Sequence, residues 1–290
     1  MNAFKTTILM AALMGIMIAI GAAVAGKVGA IVMFFISLAM NVGSYWFSAD
    51  LCLKAYDAQE ITREEAPNLY GLVEDLAQKA GLPMPRVCII QADEPNAFAT
   101  GRDPQHAAVA VTTGIMQVLN YEELSGVIGH ELAHVKHRDI LISTIAATIA
   151  GAISMIAQVA QFAAIFGGNR DEDGESSNPI VVLAMAIIAP IAAMVIQMAI
   201  SRSREYGADE EGGKICGNPL YLASALEKID YYAKHGVIPN AKPATAHMFI
   251  VNPFEGAGKS LANMFSTHPL TEDRINRLRQ QAQERGITTL

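Results

Sequence analysis

Between Ser125 and Asp139 the chain reads SGVIGHELAHVKHRD, and three of these residues have the types and spacing needed for hydrolysis. His130 and His134 stand four apart, so on a helix their imidazoles share a face and can hold one metal ion. Glu131 is turned about 100° from His130, which places its carboxylate beside the ion as a base for the attacking water. Zinc at such a site lowers the pKa of water from about 15.7 to about 7, making a nucleophile available at neutral pH. A bare pentapeptide of this kind also arises by chance in charged helix turns, so its weight depends on what the rest of the chain brings to it.

Zinc catalysis calls for three protein ligands and an open position. His137 lies seven residues after His130, about 10 Å along a helix, too far to share the ion with both histidines. The longer metzincin pattern needs histidine at position 140 and glycine at 137, and the chain has Ile140 and His137. Glu205, in SRSREYGADE, is the better third ligand. It follows the last of four apolar runs just as His134 precedes the third, and an antiparallel pair of spans brings the two ends together. Asp209, one turn further on, can hydrogen-bond the far nitrogen of a ligand histidine and fix its orientation. Glu210 and Glu211 compete with Glu205, but neither has an acidic partner one turn on.

The elements that must position these residues are mostly apolar. Hydrophobic residues make up 52% of the 290 and charged residues 17%, against about 25% charged in ordinary soluble domains. This is the composition of a membrane protein with a soluble part. A net charge of −7 with no basic patch argues against nucleic acid as a partner. Cys52, Cys88 and Cys216 form no Cys-x-x-Cys pair, so neither a disulfide framework nor a cysteine zinc site is implied.

Runs without charge at 6–26, 28–49, 140–166 and 179–200 are each long enough to cross a hydrocarbon core of about 30 Å. The first exceeds a signal-peptide core of roughly 7–15 residues and is read as a retained span. It is expected to form a tight hairpin with the second, turning at Gly26 and Lys27. Tyr45, Trp46 and Phe47 suit an interfacial aromatic belt. The expected units are a span hairpin at 1–49, the first part of the catalytic domain at 50–139, a second span pair at 140–200, and the rest of the catalytic domain at 201–290. Lys5, Lys54, Arg63, Lys136, Arg138, Arg202 and Arg204 flank the spans on the side of the histidines, and Lys27 and Arg170 flank them on the other. That bias places the catalytic part and both termini in the cytoplasm.

Within the soluble part, apolar spacing predicts an amphipathic helix over 66–80, stopped by Gly81 and Pro83. Short β-prone runs at 87–90 and 107–113 flank the stretch 96–101, which Pro95 and Gly101 bound as a loop or a strand. Asn120 and Glu123 form a capping box at the start of the histidine helix. No proline or glycine interrupts 130–150, so that helix is expected to run, or bend only gently, into the third span. Further helices are expected over 220–233 and 271–285.

The pairing of His130-Glu131-Leu132-Ala133-His134 with Glu205-x-x-x-Asp209, two spans before the histidines and two between them and Glu205, resembles the HtpX family of membrane zinc endopeptidases. The likeness covers essentially the whole chain; its most specific stretches are SGVIGHELAHVKHRD, SRSREYGADE and STHPLTEDRI. The CAAX prenyl endopeptidases are more distant relatives. The resemblance implies a mainly α membrane protein: four transmembrane helices and a cytoplasmic gluzincin-like α+β protease domain with a small sheet. It implies one Zn2+ per chain on His130, His134 and Glu205, Glu131 as general base, and Asp209 behind a ligand. It also implies that Asn96, Ala97 and Phe98 form an edge strand along which substrate lies, and that His268 donates to the oxyanion. A plain loop at 96–101 and a helix-entry histidine before Pro269 are the alternatives. The implied function is hydrolysis of membrane or membrane-proximal proteins, in quality control under stress, at the bacterial inner membrane. An intramembrane protease and a non-proteolytic membrane adaptor or chaperone-like protein with a structural zinc are the other readings. The charges between Tyr121 and Asp139 oppose the first, and the lack of a fourth strong ligand opposes the second.

Overall fold

The computed structural model describes residues 2–140, 202–235, 249–251 and 269–289. Apart from Ile140, the expected spans at 140–166 and 179–200, the acidic loop between them and His268 lie outside the described residues.

The chain begins with α1 (Asn2–Ala55), a helix of 54 residues. Its segment Gly26–Phe47 is long and apolar enough to cross a membrane, with only 12% of the stretch buried. Val28, Ile31, Phe35, Trp46 and Phe47 are all more than half exposed there, as lipid-facing side chains would be. At Gly26 and Lys27, where a hairpin turn is expected, no open loop separates the first two apolar runs. The irregularity is confined to Gly26, at φ 58°. That left-handed value lies far from the helical φ of about −63°, so the backbone changes course at the glycine where the turn is expected.

Beyond α1 come β1 (Gln59–Glu60), α2 (Pro67–Ala80), β2 (Arg86–Ile90), β3 (Ala97–Gly101) and β4 (Ala107–Thr112). They form a mixed sheet ordered β1-β2-β4-β3, in which β2 and β4 are parallel and the outer pairings antiparallel. The stretch bounded by Pro95 and Gly101 is thus a strand at the edge of the sheet. Every residue of β4 is buried, the pattern of a central strand covered on both faces. Val87, Ala97, Val109 and Val111 join the main core on one face. On the other, Cys88, Ile90, Phe98, Ala108 and Ala110 pack against Cys52 and Leu53 at the end of α1. The edge strand is therefore held between the helical core and the end of the membrane helix.

Short α3 (Thr113–Val118) leads into α4 (Tyr121–Lys136), and after the second apolar pair come α5 (Arg202–Ile215), α6 (Pro219–His235) and α7 (Thr271–Glu284). The capping box starts α4: Glu123 N–H donates to Asn120 Oδ1 at 2.8 Å, and Asn120 N–H donates back to Glu123 Oε2 at 3.0 Å. Residues 123–133 of α4 are all buried, so it is the central helix of the core. Gly126 and Gly129 each cost a helix interior about 1 kcal/mol relative to alanine. They are used for close approach, since a Cβ on Gly129 would stand 2.9 Å from Gly212 O in α5. Burying Ile128 and Leu132, at roughly 2 kcal/mol each, more than offsets that cost.

The run-on of the histidine helix into the third span does not occur. α4 stops at Lys136, His137 caps it, and Arg138 takes a left-handed φ of 59°. Asp139 N–H then donates to His134 O at 2.9 Å, and helix resumes only at Ile140. The break needs no glycine because it brings the Asp139 carboxylate back to His134, which sets the strain of a left-handed arginine against a contact at the site.

Candidate active site

Successive turns of α4 carry His130 and His134, which present their Nε2 atoms to one point, 3.2 Å apart, with ring planes at 88°. Glu205, on the first turn of α5, brings Oε2 to 3.8 Å from His130 Nε2 and Oε1 to 3.6 Å from His134 Nε2. The ligand-type atoms of these three residues lie within 4.8 Å of one another. Ligands bound to zinc at 2.0–2.1 Å in a tetrahedron stand about 3.3 Å apart, so the two nitrogens and the carboxylate fit that ion with modest closure. The group has three members among the described residues, the number that leaves a position open for reaction.

The far nitrogens of both imidazoles face carboxylates. His130 Nδ1 lies 2.9 Å from Asp209 Oδ1, and His134 Nδ1 lies 3.4 Å from Asp139 Oδ2. Such partners orient each ring so that its Nε2 faces the point the two histidines share. Burial pushes the His134 imidazole down, but the Asp139 hydrogen bond and the charges of Glu205 and Glu131 outweigh it and hold it up at about 9.

Arg274 of α7 closes the assembly. It is 1% exposed, and its Nε and Nη2 donate to Asp209 Oδ2 and Oδ1 at 2.9 and 2.7 Å while Nη1 donates to Ile250 O at 2.7 Å. Burial raises the Asp209 carboxyl, yet the Arg274 charge and hydrogen bonds bring it down to about 2. Asp209 therefore stays ionised beside His130.

Glu131 is buried and points to the edge strand, where Ala99 N–H donates to its Oε2 at 2.9 Å. Burial pushes this carboxyl up, and the His130 and His134 charges and the Ala99 hydrogen bond oppose it. The arrangement holds a proton-accepting oxygen pair next to the point where the two Nε2 atoms converge.

His130, His134, Glu205, Asp209 and Glu131 are thus brought together as their spacing suggests. Glu210 and Glu211 are not part of the group; they pair instead with Lys214 and Lys136, each at 2.6 Å. Asn96 is 3% exposed, and its Oδ1 accepts from Ile250 N–H at 3.2 Å. Phe98 packs on Tyr56 behind the sheet, ring centroids 5.1 Å apart, and its backbone shares the β4 side with Asn96, whose O accepts from Thr112 N–H, so among Asn96, Ala97 and Phe98 the outward backbone groups are those of Ala97. Asp139 and Arg274 were not singled out by sequence. The signal for Arg274 was an arginine within the apolar stripe Thr271, Ile275, Leu278 and Ala282 of an otherwise charged helix. Asp139 carries no comparable signal, because its approach to His134 depends on the left-handed turn at Arg138.

Comparison with known proteins gives a consistent result. The sequence profile of peptidase family M48 matches residues 63–282. A protein named Protease HtpX homolog from Thermodesulfovibrio yellowstonii is 56% identical over 282 residues, covering 97% of this chain and 99% of that one. A protein of the same name from Thermococcus kodakarensis is 55% identical over 284 residues, covering 98% and 97%. Among solved structures, Ste24p of S. mikatae superposes with a TM-score of 0.51 at 17% identity, over 96% of this chain and 65% of that one, a likeness of fold.

Proposed function

The chain belongs to peptidase family M48 and is a membrane metalloprotease, and we propose that it cuts peptide bonds at a zinc site held by His130, His134 and Glu205, with Glu131 as the base. The convergence of two Nε2 atoms and one carboxylate, with a second carboxylate beside them, carries this reading.

Zinc bound there supplies Lewis-acid polarisation of the scissile carbonyl and lowers the pKa of water to about 7. The residues do the rest. Glu131 takes a proton from the attacking water and passes it to the leaving amine, and burial has already raised its affinity for that proton. The Ala99 amide keeps the Glu131 carboxylate from swinging away between the two transfers. Asp209 and Asp139 hold the two rings, and Arg274 holds Asp209.

The finer reading has the four apolar runs as spans, with the units 1–49, 50–139, 140–200 and 201–290, and both termini and the catalytic part cytoplasmic. The exposed apolar face of α1 and the basic residues flanking the runs support it. Substrates are then membrane or membrane-proximal proteins reached from the cytoplasm, with His268 and the β3 backbone as contacts to them.

The test is cleavage of an unfolded protein such as casein by the purified full chain in detergent. Cleavage is expected to stop with a zinc chelator and to fall on the order of 10²–10⁴-fold in Glu131→Gln, with fold and metal content kept. A Glu131→Gln protein that cuts at the wild-type rate contradicts the assignment.

A further inference from the structure

The edge strand that holds the general base is also fastened to the membrane helix. Arg102, directly after β3, donates from Nη1 to the backbone carbonyl of Trp46 at 3.2 Å. Trp46 is 58% exposed and Phe47 59%, and both stand at the end of the apolar segment Gly26–Phe47. Exposed tryptophan beside phenylalanine at the end of a span marks the level of the lipid headgroups. Charge returns just past them at Asp50, whose carboxylate pairs with Arg86 of β2 at 2.6 Å. The back of the sheet is fixed to the same helix end through Cys52, Leu53 and the contact of Tyr56 with Phe98. The sheet therefore sits against the interfacial end of the span.

The distance from that level to the chemistry can be counted along the strand. Ala99, whose amide holds Glu131, precedes Arg102 by three residues, about 10 Å at 3.3 Å per residue. With about 7 Å for the extended arginine side chain and 3.2 Å for its contact with Trp46 O, the strand position that holds the base lies within about 20 Å of Trp46, a distance that roughly six extended residues cover. The backbone groups of β3 alternate. Thr112 N–H donates to Asn96 O on the side of β4, whereas the Ala99 N–H faces away from β4 to Glu131. A peptide lying along the outer side of β3 runs, in either direction, toward or away from the Trp46 level.

Resting on the peptidase reading above, we propose that this chain selects extended juxtamembrane segments of membrane proteins and cuts them within roughly six residues of the end of the substrate's own span, with β3, moored to Trp46 by Arg102, setting that distance. Selection then comes from proximity to the bilayer more than from side-chain pockets.

The experiment uses the full chain in vesicles of phosphatidylethanolamine and phosphatidylglycerol. The substrate is a single-span peptide bearing a long tail of one repeated cleavable sequence, made in both orientations, with the same tail lacking the span as a soluble control. Cut positions are mapped by mass spectrometry. Most cuts should cluster next to the span in at least one orientation. In Arg102→Ala the cluster should spread outward, and Arg102→Lys should restore part of it, while cutting of the soluble tail stays unchanged in both. Even cutting along the tethered tail, with the soluble tail also cut, overturns the distance rule and leaves the peptidase reading standing. If neither tail is cut, the peptidase reading fails and takes this inference with it.

Discussion

Asp209 and Arg274 meet in a two-point contact, Nε to Oδ2 at 2.9 Å and Nη2 to Oδ1 at 2.7 Å, and the same Oδ1 lies 2.9 Å from His130 Nδ1. One carboxylate thus joins α7 and α5 to the histidine helix. Removing one member of a buried pair leaves the other charge without compensation, at a cost of about 3–5 kcal/mol. Arg274→Ala should accordingly lower the thermal unfolding midpoint sharply and reduce bound zinc, both measured on the purified protein in detergent. Arg274→Lys should not rescue it, because an ammonium cannot reproduce the two-point geometry. A midpoint within error of wild type for Arg274→Ala would show that the contact is not what holds α7.

The same carboxylate gives a pH dependence. Its folded-state pKa is depressed to about 2, below an unfolded value of about 3.9. The stability it contributes is therefore fully present above about pH 4 and is lost as pH falls through about 2. Asp209→Asn should be less stable than wild type at neutral pH, and the gap between their unfolding midpoints should shrink from pH 4 to pH 2. A gap that stays constant over this window would place the contribution elsewhere.

Asp139 reaches His134 only because α4 breaks at Arg138. Asp139→Asn should weaken zinc binding by roughly 10–100-fold, the usual effect of losing a carboxylate behind a ligand histidine. Competition with a chromophoric chelator measures this directly. Unchanged affinity would mean that the 3.4 Å contact contributes nothing to the ring.

Gly212 sets how close α5 comes to α4. A Cβ there would lie 2.7 Å from His130 N and 2.8 Å from His130 Cα, both backbone atoms that cannot turn aside. Gly212→Ala should push α5, and Glu205 with it, away from the histidines, so bound zinc and casein cleavage should fall together. A methyl group added at Gly71 would meet nothing within 4 Å, and Gly71→Ala should leave both unchanged.

Much of this site was legible in the sequence, for physical reasons that differ from residue to residue. The spacing of His130 and His134 dictates a shared helix face, and the pair Glu205 and Asp209 announces itself by the same one-turn rule. The capping box at Asn120 and the Gly81 stop are local chemistry and appear as expected. Contacts made by the backbone or across long separations were not legible. The Ala99 amide that holds Glu131 belongs to a strand whose pairing depends on β4, and Asp139 depends on a left-handed arginine with no glycine to advertise it. Arg274 lies 65 residues from Asp209 in sequence, and only its place in an apolar stripe hinted that it faced inward.

The proposed mechanism depends on Glu205 completing a zinc site with His130 and His134. Its most direct test is the zinc content of purified Glu205→Ala beside wild type, with far-UV circular dichroism to confirm that both are folded. The expected result is about one zinc per chain in wild type and almost none in the variant. A folded Glu205→Ala protein that still carries about one zinc per chain would rule out Glu205 as the third ligand.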